Sequence, residues 1–488
     1  STSIINYLGV LLGVVNVLWL QTAIITELQI GILSYLVDLT ILLLPFVLFG
    51  TSGLSARFIH IFDKNKERDS FISLLFLIPI VTIAVFSLIF YLFNSKIIGY
   101  LGDDAVTYSK FLIFLFPLIL CYAYQYLIEA ILITESLTVF TAFLKNIFRR
   151  LALIGLLICF YFQVIDFYNL IYFYVIAHFV EVLILFLFFK NQLKFNFRIP
   201  KLLVSKEKRK EIISYSFYLI IGSSGVVMVG KVDSVMISSI TDDFNLLGVY
   251  AVAFFIATVI ELPRRIIHQL MFPILSKLVT ENKTEEIKDL YKQAGINLAI
   301  IGLFLFLLIW FSLDQLFLII PNGEIYAAGK WVVFFIGISK VLDVVFGTTD
   351  LMINATKHYK WNGVLVPFLI ISTIISNYIF INLYGIVGAA VATSLTVLLY
   401  SILKYIVVLV RLKLNLLSKK HLNIMLCLGI VISIFLFKPQ LFDNNFIEII
   451  SNSILITIIF MGSNYLLKSS KEMNQLIDNS WNKYIRKR

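Results

Sequence analysis

Residues 363–410 read GVLVPFLIISTIISNYIFINLYGIVGAAVATSLTVLLYSILKYIVVLV and carry a single charged side chain, Lys404. The stretch is two apolar runs broken at NLYG, 382–385. A hydrocarbon core about 30 Å thick takes roughly 20 apolar helical residues, so each run is long enough to be one membrane crossing and the break is a turn. Carried outward in both directions, the same ruler divides the chain into fourteen candidate spans, near 4–24, 30–49, 71–93, 111–134, 151–165, 170–189, 212–240, 246–262, 294–313, 331–354, 363–383, 386–410, 424–437 and 446–467. A transmembrane barrel would instead alternate polar and apolar residues in short segments, and that pattern is absent. The expected fold is an all-α integral membrane protein with about fourteen transmembrane helices.

Composition supports this reading and narrows the partners. Hydrophobic residues make up 60% of the chain and charged residues only 14%, a balance outside the range of soluble domains. The net charge of +11 raises nucleic acid as a partner, but the basic residues are scattered through short connectors instead of gathered on one domain. Anionic lipid headgroups are the better counter-charge. Cys121, Cys159 and Cys427 all fall in apolar runs, which points to small core residues and to neither a disulfide framework nor a metal cluster. The first apolar run lacks a basic flank and a small-residue cleavage site, so it reads as a retained helix.

Orientation follows from Lys and Arg, which resist translocation near helix ends. With the N-terminus inside, the connectors assigned to the cytoplasm (50–70, 135–150, 190–211, 261–293, 355–362, 411–423 and the tail from 468) hold 33 of the 40 Lys and Arg. The outer connectors hold 4. The expected placement is therefore a multi-pass protein of the bacterial inner membrane with both termini cytoplasmic. The connector at 191–211 carries Lys206, Lys208, Arg209 and Lys210 and lies where two six-helix halves would join, 1–190 and 212–410. Helices 13 and 14, within 411–467, and a basic tail at 468–488 follow. Two internal likenesses favour a repeat. GVVNVLWLQT from Gly13 parallels GVVMVGKVDS from Gly225, and the basic elbows ARFIHIFDKNKERD and PRRIIHQLMFPILSKL follow the second and eighth spans.

Asp233 in KVDSVMI, the stretch LGVYAVAFFIATVIELP from Leu247, FPILSKL from Phe272 and SNYIFINLYGIVGAAVATSL from Ser376 together resemble one known group. It is the polysaccharide transporters of the multidrug, oligosaccharidyl-lipid and polysaccharide exporter superfamily, which includes O-antigen and lipid II flippases. The resemblance covers nearly the whole chain. It implies two pseudo-symmetric six-helix lobes around a central cavity that opens alternately to each side, lined largely by helices 1, 2, 7 and 8. It also implies a substrate carried on a polyprenyl diphosphate, with sugars in a polar cavity and the lipid tail left in the bilayer. In one respect the chain departs from the group: such flippases often place arginines in the first two helices, whereas the first span here offers Asn16 and Gln21 and no cation.

An ionisable group at membrane depth costs about 2.5 kcal/mol or more to insert, so each one is a candidate functional residue. Asp38, Glu129 and Glu181 lie in the second, fourth and sixth spans, Lys231 and Asp233 in the seventh, and Lys340, Asp343 and Asp350 in the tenth. Lys231 and Asp233 are two apart and point to nearly opposite sides of a helix, so each needs another partner. GSSG at 222–225 is a site where the seventh helix could bend. Lys340, Asp343 and Asp350 recur at three and seven and form one polar stripe. Multidrug relatives bind a coupling cation with acidic residues on helices 7 and 10, and the resemblance carries that role to Asp233 and Asp343, with H+ or Na+ as the coupling ion. The alternative is that Lys231 and Lys340 form ion pairs that only fix packing.

Asn16, Gln21, Asp38 and Glu129 are candidates for lining the cavity, with Gln125 one turn from Glu129. Arg57, Arg264, Arg265 and His268 sit on the two elbows, where they could receive a diphosphate or simply meet lipid headgroups. Arg149 and Arg150 read as a connector pair of the same topological kind. His178 and Glu181 read as an internal pair, not a metal site. Trp19 could stack on a sugar ring or face lipid. No outer connector combines a nucleophile, a base and a metal-ligand set, and no Gly-rich phosphate loop appears, so neither catalytic residues nor a cofactor are expected. Three functions remain at this stage: a flippase for a lipid-linked glycan within the membrane, a transporter fold reused as a scaffold for membrane-complex subunits, and, more distantly, a glycan polymerase or ligase.

Overall fold

The computed structural model describes residues 2–62, 66–100, 109–135, 137–199 and 206–485. Among them every regular element is a helix. This is the expected solution for apolar runs in lipid, where each backbone N–H and C=O must be satisfied within its own segment. In chain order the membrane helices are α1 (Ile4–Ile24), α2 (Glu27–Leu48), α3 (Lys66–Phe93), α4 (Lys110–Thr134), α5 (138–161), α6 (Phe167–Leu193), α7 (Lys206–Thr241), α8 (Phe244–His268), α9 (Thr284–Trp310), α10 (Gly323–Val345), α11 (362–384), α12 (386–412), α13 (Lys419–Phe437) and α14 (Asn445–Leu466). The protein is a multi-pass membrane protein.

Local signals set several boundaries. Thr26 caps α2 through a capping box with Gln29, and the helix ends at Phe49 and Gly50, both in the left-handed region, before a short elbow helix, Thr51–Phe58. Asp166 caps α6 by accepting from the Asn169 N–H at 2.7 Å. The NLYG break is real and tight: Gly385 has φ +56, and a Cβ at Gly388 would collide with the carbonyl of Phe380. The helix of α7 is continuous through 222–225, so GSSG does not interrupt it.

The structure corrects two parts of the sequence reading. The fifth span starts at Thr138, not near 151, so Lys145, Arg149 and Arg150 stand inside a membrane helix instead of a connector. The tenth span stops at Phe346 and resumes as Gly347–Ala355. Cys159 also differs from its expected core position. It is exposed, while Cys121 and Cys427 are buried, because a thiol is apolar enough to sit on a surface that meets lipid.

The helices form two compact units, one of Ser1–Ala251 with Val366–Ala389 and the other of Val252–Leu365 with Ala390–Arg488. In the first, α2 packs on α4 and α7, and glycines permit backbone approach at its crossing with α8. A Cβ at Gly31 would strike the Phe244 carbonyl, and one at Gly248 would strike the Glu27 carbonyl. In the second, Ile296, Ile300, Leu303 and Leu307 of α9 share a core with Cys427 and Val431 of α13 and Ile456 and Phe460 of α14.

Candidate functional site

In the first unit, α7 carries Lys231 and Asp233 to opposite sides, as their spacing requires. Lys231 Nζ lies 2.5 Å from Asp38 Oδ1 on α2, and Ser234 Oγ donates to Asp38 Oδ2 at 2.6 Å. Asp38 is thereby tied into the α2–α7 seam. Asp233 is fully buried and its oxygens are held by neutral donors, the Tyr250 hydroxyl at 2.7 Å and the Asn377 amide at 2.7 Å. These hydrogen bonds satisfy part of the carboxylate's polarity inside an apolar bundle. Tyr250 and Asn377 give little signal in the sequence, because both side chains are uncharged at neutral pH. Asn377 had one signal, an amide in the middle of an apolar run.

A second cluster surrounds α5. Arg149 Nε and Nη2 donate to the two Glu181 carboxylate oxygens of α6 at 3.0 and 3.1 Å, Nη2 also reaches Gln125 of α4, and the guanidinium lies over the Tyr122 ring. Lys145 Nζ pairs with Glu129 at 3.1 Å. Glu181 therefore pairs with Arg149 and not with His178, whose Nδ1 is 2.9 Å from the Tyr174 carbonyl oxygen and whose ring stacks on Tyr122. The expected pair fails because Arg149, taken for a connector residue, is a helix residue facing Glu181.

Arg150, one residue on, turns the other way. Its guanidinium packs against Gly13 of α1, and its Nη1 is buried with no hydrogen-bond partner. No carboxylate pairs with it among the described residues. One turn earlier Asn146 packs against Gly9 and its amide donates to Asn6 at 2.9 Å, so the Gly9 and Gly13 pair forms a groove that admits Asn146 and Arg150. Close by in sequence, 15–21 is a π-helical stretch, and its i,i+5 geometry brings Gln21 Nε2 to 3.2 Å from Asn16 Oδ1. A cation from α5 therefore stands against α1, whose own sequence carries none. The sequence held a signal in the matched four-residue spacings of Gly9 and Gly13 with Asn146 and Arg150, which only an α1–α5 contact makes meaningful.

In the second unit six charged groups close on one another. Arg264 Nη1 donates to Asp343 Oδ1 at 3.1 Å, its Nη2 lies 2.9 Å from Asp343 Oδ2 as an ion pair, and Nη2 donates to Glu261 at 3.0 Å. Asp350 is 3.9 Å from Arg264 and 2.8 Å from Lys404 of α12, while Lys340 reaches Glu261 at 2.9 Å. The break after Phe346 makes room, since a Cβ at Gly347 would strike the Arg264 side chain. Three carboxylates face these three cations, while Arg264 Nε is buried with no hydrogen-bond partner among the described residues. Of the remaining elbow residues, Arg265 is largely exposed and 3.3 Å from Glu261, His268 has a buried Nε2 with no hydrogen-bond partner among the described residues, and Arg57 in the first unit lies over the Tyr215 ring. No group of three His, Cys, Asp or Glu that could hold a metal occurs among the described residues.

Comparison with known proteins adds the following. A family model described as polysaccharide biosynthesis protein matches residues 1–279, more than half of the chain. No curated protein matches the sequence. A solved structure of the lipid II flippase MurJ in an inward closed conformation is similar with a TM-score of 0.74 at 17% identity, over 95% of this chain and 98% of that one. A multidrug resistance MATE family transporter of the MOP superfamily is similar in its inward-facing conformation, with a TM-score of 0.64 at 15% identity over 83% of this chain and 94% of the other. The outward-facing conformation of such a transporter gives 0.59 at 18% identity over 84% and 94%. These likenesses show the fold.

Proposed function

Because the chain belongs to the polysaccharide biosynthesis protein family, we propose that it is a flippase that carries a polyprenyl-diphosphate-linked oligosaccharide from the inner to the outer leaflet by alternating access. The observation that carries this reading is Arg150, a guanidinium near the middle of α5 that rests on α1 with no carboxylate partner among the described residues. A half-buried guanidinium held without a counter-charge costs free energy unless an anion comes to it, and a diphosphate matches it in charge and geometry. The fold of the MurJ and MATE structures supports transport over catalysis. The excess of Lys and Arg in one set of connectors supports an inner-membrane placement with both termini cytoplasmic.

Asp233 is the coupling residue in this reading, taking up H+ or Na+ in one state and releasing it in the other. Asp343, Asp350, Lys231 and Lys340 serve instead as packing ion pairs. The test is flipping of a fluorescent polyprenyl-diphosphate oligosaccharide in proteoliposomes, scored by access of a membrane-impermeant quencher. The wild-type protein is expected to flip it in response to an imposed proton or sodium gradient. Wild-type activity retained by both Arg150→Gln and Asp233→Asn sinks the mechanism, and no flipping of any lipid-linked glycan sinks the function.

A further inference from the structure

The face shared by α3, α4 and α6 carries an apolar groove of about 410 Å³ lined by Leu77, Ile80, Ile128, Phe179, Leu183 and Phe186. Leu77, Ile80, Phe179 and Leu183 are each 45 to 59% exposed, which in a membrane-spanning chain means exposed to hydrocarbon. One end of the groove is built by the segment that leaves α6 and folds back on the start of α3. The Asn196 N–H donates to Asp69 Oδ2 at 3.4 Å, the Arg198 N–H to Ser73 Oγ at 3.1 Å, and Ser70 Oγ to the Ile199 carbonyl at 3.2 Å. Phe195 and Phe197 close on Phe76 with ring centroids 5.9 Å away. Phe197 and Arg198 line that end of the groove.

The Arg198 side chain is 42% exposed, and its Nε lies 3.9 Å from Asp69 Oδ2, beyond hydrogen-bond length. Lys190 and Lys194 near the end of α6 are exposed as well, and Arg68 Nη2 donates to the Leu193 carbonyl at 3.0 Å at the same end. The groove's mouth is therefore cationic and its floor apolar. From Ser73 to Ile80 a helix rises about 10 Å, most of the roughly 15 Å hydrocarbon depth of one leaflet. We propose that this groove seats an acyl chain of an anionic phospholipid of the leaflet in which α6 ends, with the lipid phosphate on Arg198. A zwitterionic headgroup brings its own ammonium to the same cationic mouth and is disfavoured, so the site selects for net negative charge.

Native mass spectrometry of the full-length protein offered equal phosphatidylglycerol and phosphatidylethanolamine tests this. The wild-type protein is expected to retain phosphatidylglycerol in excess. Arg198→Gln is expected to lower that retention about five-fold and leave phosphatidylethanolamine unchanged, the scale of one basic residue at a membrane surface. Ile80→Trp fills the groove without touching the charge, and because Ile80 is half exposed to lipid it tests the seat independently, with a similar loss expected. Equal retention of the two lipids by the wild-type protein overturns the proposal. So does unchanged phosphatidylglycerol retention in either variant.

Discussion

In Val252–Leu365 with Ala390–Arg488, Arg264, Lys340 and Lys404 meet Glu261, Asp343 and Asp350, and every charge has its opposite. In Ser1–Ala251 with Val366–Ala389, Arg149 and Lys231 are paired in the same manner, but Asp233 is held by a hydroxyl and an amide and Arg150 rests on a glycine. Such a charge-paired network resists rearrangement, because removing one of its members strands a buried charge. A group without a fixed counter-charge, as Arg150 is among the described residues, is one that a ligand can still stabilise. The contrast is between charges closed into a network of ion pairs and a cation left outside one.

The largest effect is expected from Arg264→Met. It leaves three carboxylates with two cations and is expected to cost about 3–5 kcal/mol, seen as loss of monodisperse protein on size-exclusion chromatography. Normal yield and thermal stability would show that the network is not a clamp. Asp343→Asn removes one arm of the fork and should lower stability by about 1.5–3 kcal/mol in a thermal-shift assay, with the ion dependence of flipping intact. Arg150→Gln should do the reverse. Flipping falls at least about ten-fold, equivalent to about 1.4 kcal/mol of barrier, while thermal stability holds or rises because a half-buried unpaired cation is gone. Asp233→Asn sharpens the point further: flipping that no longer responds to a proton or sodium gradient, at normal yield, separates it from Asp343. Lys330→Gln sets the floor, since Lys330 pairs with a largely exposed Asp314 and should change stability by under about 1 kcal/mol.

Much of the fold was legible because the bilayer imposes a length on every apolar run. The turn at NLYG and the opposed directions of Lys231 and Asp233 are local consequences of spacing and side-chain chemistry. The start of α5 was not legible. Lys145, Arg149 and Arg150 look like a connector until Glu129, Gln125 and Glu181 from α4 and α6 are seen to receive two of them. Positive-inside counting cannot distinguish a loop cation from a helix cation with a partner on another span. The candidate site was half legible for the same reason, since Asp233 stands out as charged while the uncharged Tyr250 and Asn377 do not.

The sequence by itself determined a chain of membrane helices, their approximate number and the residues too polar to face lipid, because hydrophobic length and charge cost are properties of each segment alone. Only the tertiary structure decided which of those charges are satisfied. Asp38 takes Lys231, Glu181 takes Arg149, Arg264 gathers three carboxylates, and Arg150 is left against Gly13. Pairing depends on which helices lie side by side, and that is set by small residues such as Gly9, Gly13, Gly31 and Gly248, whose meaning appears only once a neighbouring helix fills the space they leave.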